Sequence, residues 1–429
     1  MDKHLFLSVL RAQVKPATGC TEPVAVALAA AHASHLVKGD LVSLKITASQ
    51  GLYKNAYAVG LPGMAEKGID LAGAIGYMAA DPEKGMQILE KASEKQIEQA
   101  RQAVNEKKVW IGYIPGDAGL FVRVEVVTSQ DQAEVVISGS HDHVVRIVLN
   151  GTELLDEEES GADEQNLEQM RETTIASIVA FAETVDPEDV RWLLEGVRMN
   201  AEIAHLGLEE EYGLGIGRGL RRLVDRGILC NDLLTRIRMQ VAAASDARMG
   251  GARLPVMTSC GSGNQGILIV IPLAAACQYH DRREEDLLRA LVIGHLVNAY
   301  AKSYLGKLSP LCGCSVSAGL GTAAGLTWLA DPDIERIEGA IKGMLSNLTG
   351  TICDGAKGSC ALKLETAAVE AFTYAMLATQ DVYVREAQGV VEESCDLSIR
   401  NLERIGRQGM GAMDQSVLEI LSERSRRDR

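Results

Sequence analysis

Aromatic residues are scarce in this chain: Phe, Trp and Tyr together make up 4% of it, although 47% of the residues are hydrophobic. The interior must therefore be assembled from Ala, Val, Leu, Ile and the 42 glycines, a composition that suits helices packed closely through small side chains. Basic charge is also in deficit, with 43 Lys and Arg against 58 Asp and Glu and a net charge of -15. A surface of that sign excludes a nucleic-acid partner, which needs clustered basic groups to displace the counterions of phosphates. The tail Arg424, Arg426, Arg427 and Arg429 is too short to reverse this and reads as a solvated end. No run approaches 18 apolar residues free of charge, so no membrane span or membrane partner is expected. The opening MDKHLFLSVLRAQVKP has no basic segment leading into an apolar run and a small-residue cleavage site, so no export signal is expected. Nine cysteines in such a setting point to a cytoplasmic, reducing compartment where thiols stay free or bind metal. Zinc-type C-x-x-C pairs, an H-E-x-x-H motif and an internal repeat of fixed period are all missing.

What is present divides the chain into unlike parts. A length of 429 residues exceeds what one core organises and suggests two or three units. Residues 3–37 read as two helices broken at Lys15–Pro23, the second (PVAVALAAAHASHLV) apolar almost all round and hence buried. From Leu41 to about Leu155 the runs LVSLKITA, NAYAVGL, KVWIGYI, LFVRVEVVTS, AEVVISGS and HVVRIVLN are rich in Val and Ile and read as strands. Helices are expected around 65–79 and from Asp81 to Glu106, the latter with Asp81 as cap and Pro82 at its first position. The acidic stretch DEEESGADEQ (156–165) marks a boundary, and beyond it helix follows helix, including DRREEDLLRALVIGHLVNAYAKSYL with its acidic first turn. The expected fold is α+β: N-terminal helices 1–37 packing on a catalytic domain, a smaller α/β domain 38–160, and an all-helical catalytic domain 161–429. A Gly/Ala-rich helical interior beside an exposed α/β unit is compatible with a homodimer.

The cysteines carry the chemistry. Cys20 stands in TGCTEP directly before the buried helix, with Thr21 and Glu22 in capping positions and Pro23 at the first helical position. The positive end of a helix facing the sulfur is expected to lower its pKa and expose a thiolate; a small packed hydrophobe is the bland alternative. Cys312 and Cys314 lie in SPLCGCSVSAGLGTAAG, and Cys353 and Cys360 in TICDGAKGSC. The surrounding Gly, Ser and Ala let backbone approach a bulky inorganic group and donate hydrogen bonds to sulfide. Three thiolates around a four-iron cluster leave one iron open as a Lewis acid. Spacing alone leaves ordinary buried thiols open.

GSGNQG (261–266) fits G-x-G-x-x-G, with Asp281 further on, but MTSC before it is not a clean strand and Asp281 opens an acidic helix, so the dinucleotide context fails. The segment reads instead as a loop whose N–H groups, with Ser262 and Asn264, face a carboxylate at the start of the helix ILIVIPLAAACQY. GLGTAAG (319–325) reads as small-residue helix packing. Lys357 would lie beside a cluster, where its charge meets a carboxylate or sulfide; its bland alternative is a solvated loop lysine. Asp354 would cap the next turn or orient Lys357. His141 and His143 share a strand face, most simply an exposed edge, and His295 reads as a satisfied core histidine. Cys230 and Cys277 read as core.

Together TGCTEP, SCGSGNQG, LCGCSVSAG and CDGAKGSC resemble the L-cysteine desulfidase branch of the iron–sulfur serine dehydratase α-chain family. The resemblance implies a [4Fe-4S] cluster held by three cysteines in an all-helical catalytic unit. Carried over by motif, the ligands fall on Cys353, Cys360 and one cysteine of CGC, Cys312 being preferred and Cys314 kept. The family's catalytic thiol corresponds to Cys20, joined here by Lys357; Thr21, Glu22, Ser262, Asn264 and Gly266 are assigned to substrate binding. The implied activity is β-elimination of L-cysteine to sulfide, ammonia and pyruvate, or of L-serine by the same route. A pyridoxal-phosphate lyase is disfavoured because no lysine stands beside a phosphate cradle, and a non-catalytic redox sensor because no output element is visible.

Overall fold

The structure, a computed structural model, describes residues 3–64, 66–116, 119–157, 162–306 and 308–427. Part of the acidic stretch 156–165 and the end of the basic tail lie outside the described residues. Helices predominate, and one mixed sheet of six strands accompanies them, which is the expected α+β class. No described helix is long and apolar enough to cross a membrane.

Two helices open the chain, α1 (Lys3–Gln13) and α2 (Thr21–Leu36), with a short strand β1 (Pro16–Thr18) in the break between them. They part company. Phe6, Val9 and Leu10 of α1 enter the core of the helical unit, whereas α2, uniformly apolar, lays Val26, Ala29, Ala30 and Ala33 on the sheet. The first N-terminal helix thus packs in the helical unit and the second on the sheet. A helix without a polar face has to be covered on all sides, and the sheet supplies one of those sides.

The sheet runs in the order β3–β2–β4–β5–β6–β7, from β2 (Leu41–Ser49), β3 (Val109–Ile114), β4 (Phe121–Thr128), β5 (Gln132–Ser138), β6 (Val144–Leu149) and β7 (Thr152–Asp156). Only β2 and β3 are parallel, because the helices α3 (Gln50–Ala56), α4 (Ile69–Ala79) and α5 (Glu94–Asn105) intervene between them and allow the crossover. Alternation in β4 turns Val122, Val124 and Val126 inward. The β6–β7 turn is Asn150–Gly151, both with positive φ, the pair that a tight hairpin favours. Two expectations fail here. NAYAVGL is helix and turn instead of strand, and the helix expected from Asp81 is a short 3₁₀ turn (Pro82–Gln87) followed by α5, which Ser93 caps in a capping box with Gln96.

In the helical unit the elements that build the site are α6 (Leu233–Met249), strand β8 (Pro255–Met257), α7 (Gly263–Tyr279), α8 (Glu284–Leu305), α9 (Gly319–Ala330) and α10 (Cys360–Ala378). β8 pairs antiparallel with β1, a two-stranded ribbon and not the parallel sheet of a dinucleotide fold. The acidic start of α8 is as expected, but from Ala290 to Leu305 the helix is buried on every side, so it is a central helix and not an amphipathic one. A last helix, α11 (Met413–Arg427), returns to α3, where Asp414 pairs with the buried Lys54 at 2.5 Å and Val417, Leu418 and Leu421 pack with Tyr53 and Tyr57.

Candidate active site

One cavity of about 100 Å³ is lined by Cys20, Thr21, Glu22, Ser262, Asn264, Cys312, Cys314, Cys353 and Cys360. Residues separated by up to 340 positions in sequence thus share a wall. Backbone pairing brings the two late loops together: Leu311 and Ile352 form an antiparallel bridge, the Cys312 amide donates to Thr351 at 2.8 Å, and the Cys353 amide donates to Pro310 at 2.7 Å. Cys360 opens α10. Cys314 begins a π-helical turn, Cys314–Ala318, that runs into α9; such widened turns gather at functional sites.

Of the CGC pair, Cys312 is the thiol held lower. Its pKa is pushed down to about 5, first by the Cys314 thiol donating to it and then, against the cost of burial, by the Ser315 amide and hydroxyl. Cys314 correspondingly moves up. Burial raises Cys353, and raises Cys360 to about 11. Three cations share the cavity wall, Arg248, Lys302 and Lys363, and the first two are buried. Burial drives the Lys302 ammonium toward neutrality, and the nearby Cys260, Cys353, Cys314 and Cys312 offset only part of that. Buried cations need anions, and a net-anionic iron–sulfur group ligated by Cys312, Cys353 and Cys360 matches this donor and charge set. Among the described residues no three His, Cys, Asp or Glu side chains close on a single ion. A lone tetrahedral ion draws its sulfurs to within about 4 Å of one another, while a four-iron cube holds them further apart.

Cys20 departs from expectation. It is the N-cap of α2, so Thr21, Glu22 and Pro23 take the first three helical positions, and Pro23 is tolerated because first-turn N–H groups lack partners anyway. The helix end does not yield a thiolate. Burial is the largest influence, and the neighbouring Glu22 carboxylate adds to it, so the thiol lies well above its ordinary range despite Arg248 nearby. It donates to Glu22 Oε2 at 2.7 Å. Glu22 in turn accepts from Thr21 at 3.3 Å and from Asn55 at 3.0 Å. Burial pushes its carboxyl upward, but His141, the Cys20 thiol and Asn55 outweigh that and hold it below the usual value. Asn55 also accepts from Cys353 at 3.7 Å, linking the Cys20 side of the cavity to the Cys353 side.

The 261–266 segment divides. Ser262 is the N-cap of α7, and Asn264 is already helical and accepts from Arg248 at 3.1 Å. Gly266 is not on the cavity wall: a Cβ there would meet the Met257 carbonyl at 1.9 Å, so this glycine serves packing and not substrate. Lys357 is likewise absent from the wall, its ammonium tied to Asp354 at 2.6 Å. The lysine that lines the cavity with the sulfurs is instead Lys363, in the first turn of α10, which bonds Asp354 and the Ile352 carbonyl. Cys230 is exposed, contrary to expectation, while Cys277 and Cys395 are buried.

Sequence reading missed Arg248, Lys302, Gln265, Cys260, Asn55 and His141 on this wall. His141 and His143 lie in the turn between β5 and β6, not on a strand, and only His141 reaches the cavity; His143 stands 3.6 Å from Glu157. Cys260 adopts φ of 48°, an unusual conformation for a residue with a side chain and one that clusters at active sites. Gln265 is held by Asn298, which also donates to Ser259, the partner of His295. The satisfied core histidine at 295 is as expected.

Residues 83–419 match the family model described as serine dehydratase alpha chain. The chain is similar to a UPF0597 protein of Clostridioides difficile, 38% identical over 98% of this chain and 100% of that one. It is also similar to a UPF0597 protein of Alkaliphilus oremlandii, at 37% identity over 98% of each chain, and to one of Desulfatibacillum aliphaticivorans, at 35% over 97% of each.

Proposed function

Because the chain belongs to the serine dehydratase alpha-chain family, we propose that it is an amino-acid lyase, and that it eliminates the β-substituent of L-cysteine, giving sulfide, ammonia and pyruvate. The observation that carries this reading is the convergence of Cys20, Cys312, Cys353 and Cys360 on one cavity. Cys312, Cys353 and Cys360 would hold a [4Fe-4S] cluster, with Cys314 as the alternative to Cys312. When bound, such a cluster with one iron free of protein ligands supplies a Lewis acid for the β-heteroatom.

The chain's own residues do the rest. The start of α7, with Ser262 and Asn264, takes the substrate's carboxylate through its N–H groups. Cys20 removes the α-proton. As it rests, Cys20 is a thiol bonded to an ionised Glu22, the base placed to take its proton; that transfer is uphill in the resting site, because burial raises the thiol while Glu22 lies below its usual value, and a sulfur so raised is a strong base once deprotonated. Elimination leaves aminoacrylate, and its tautomer, an imine, hydrolyses to pyruvate and ammonia without a further group. An iron–sulfur site held by these thiols would be soft and would suit a sulfur leaving group, which supports L-cysteine. L-Serine is the second reading, favoured by the family's description. Anaerobically reconstituted protein given each amino acid in turn distinguishes them: sulfide from L-cysteine at a higher kcat/KM than pyruvate from L-serine is the expected result. The reverse order makes the protein a dehydratase.

A further inference from the structure

Arg248, near the end of α6, is 3% exposed and lines the cavity with Cys20 and Asn264. One terminal nitrogen donates to Asn264 Oδ1 at 3.1 Å, while Nε is buried and has no hydrogen-bond partner among the described residues. A guanidinium cannot discard its charge and carries five donors in a fixed fork. Burying it with a donor unmet is costly. Its neighbour makes the imbalance sharper: a Cβ placed on Gly263, the first residue of α7, would lie 2.3 Å from Nε and 2.8 Å from Cζ. The guanidinium is thus laid on the positive end of a 17-residue helix whose first turn holds no acidic residue. Glu22, the carboxylate on this wall, already engages Cys20, Thr21 and Asn55, and Lys302 adds a second buried basic side chain.

We propose that Arg248, set against the N-terminus of α7 beside Asn264, is the specificity residue that binds the substrate's α-carboxylate, and so confines the enzyme to substrates whose α-carboxylate is free. The assignment rests on the lyase reading above. An arginine fork matches a carboxylate with two parallel bonds, and the missing Cβ of Gly263 is what lets it lie there. The α-carbon is then anchored on the Cys20 side of the cavity.

Binding to the iron-free protein tests this without turnover. Thermal shift with L-serine, propionate, sulfate and 2-aminoethanol should show stabilisation by the two carboxylates and none by 2-aminoethanol. Arg248→Gln should weaken carboxylate binding about 10- to 100-fold, the loss expected for bonds to a charged group, and Arg248→Lys should recover part of it. In the loaded enzyme Arg248→Gln should raise KM more than it lowers kcat. Gly263→Ala, which pushes on the guanidinium without removing it, should give the same loss if Arg248→Gln fails to fold. Unchanged carboxylate binding in the folded variants, equal stabilisation by 2-aminoethanol, or a sulfate response that exceeds and blocks the carboxylates overturns the assignment. No turnover of any amino acid by the reconstituted wild type, with its carboxylate binding intact, would instead sink the lyase reading alone.

Discussion

His295 is buried with Ser259 as partner, and burial drives its pKa down to about 3. An unfolded histidine titrates near 6.5, so between about pH 6.5 and 3 the unfolded chain holds a proton that the folded one refuses. Stability must therefore fall as pH drops through that window, by roughly 1.4 kcal/mol per pH unit. Denaturant midpoints measured from pH 7 to pH 4 should show this slope, and His295→Gln should lose one proton's share of it; equal slopes in both proteins would contradict the assignment. At this scale the sequence was informative about identity and poor about state. TGCTEP and CDGAKGSC mark Cys20, Cys353 and Cys360 without the fold, but whether Cys20 is a thiol depends on Glu22 turning back to it and on burial, which no spacing reveals. Arg248 and Lys302 were illegible for a related reason, since each sits in a helix where an isolated basic residue reads as surface.

Elements were legible where their pattern was strong. The alternation of β4 and the acidic start of α8 are plain in the sequence, while NAYAVGL misled because a short apolar run suits helix and strand alike. GLGTAAG was read as close helix packing, and α9 does meet α8 through it: a Cβ on Gly321 would lie 2.1 Å from the Gly294 carbonyl. Alanine there gains at most about 1 kcal/mol of helix propensity. Backbone cannot swing aside as a side chain can, so Gly321→Ala is expected to cost about 1–3 kcal/mol net, read as a lower denaturant midpoint. An unchanged midpoint would mean that the two helices separate freely.

On the scale of the whole molecule, the site is assembled from parts that the sequence keeps far apart. α2 covers the sheet yet delivers Cys20 at its N-terminus, the β5–β6 turn delivers His141, and the helical unit delivers the remaining thiols. That long-range convergence was supplied to the sequence reading by motif resemblance, not by any local pattern. It is also what the account depends on, so the most direct measurement is the iron and acid-labile sulfide content per chain after anaerobic reconstitution of the wild type and of four alanine variants. The account predicts about four of each in the wild type and in Cys20→Ala, with loss in Cys312→Ala, Cys353→Ala and Cys360→Ala. A wild type that takes up no iron, or equal loss in all four variants, would contradict it.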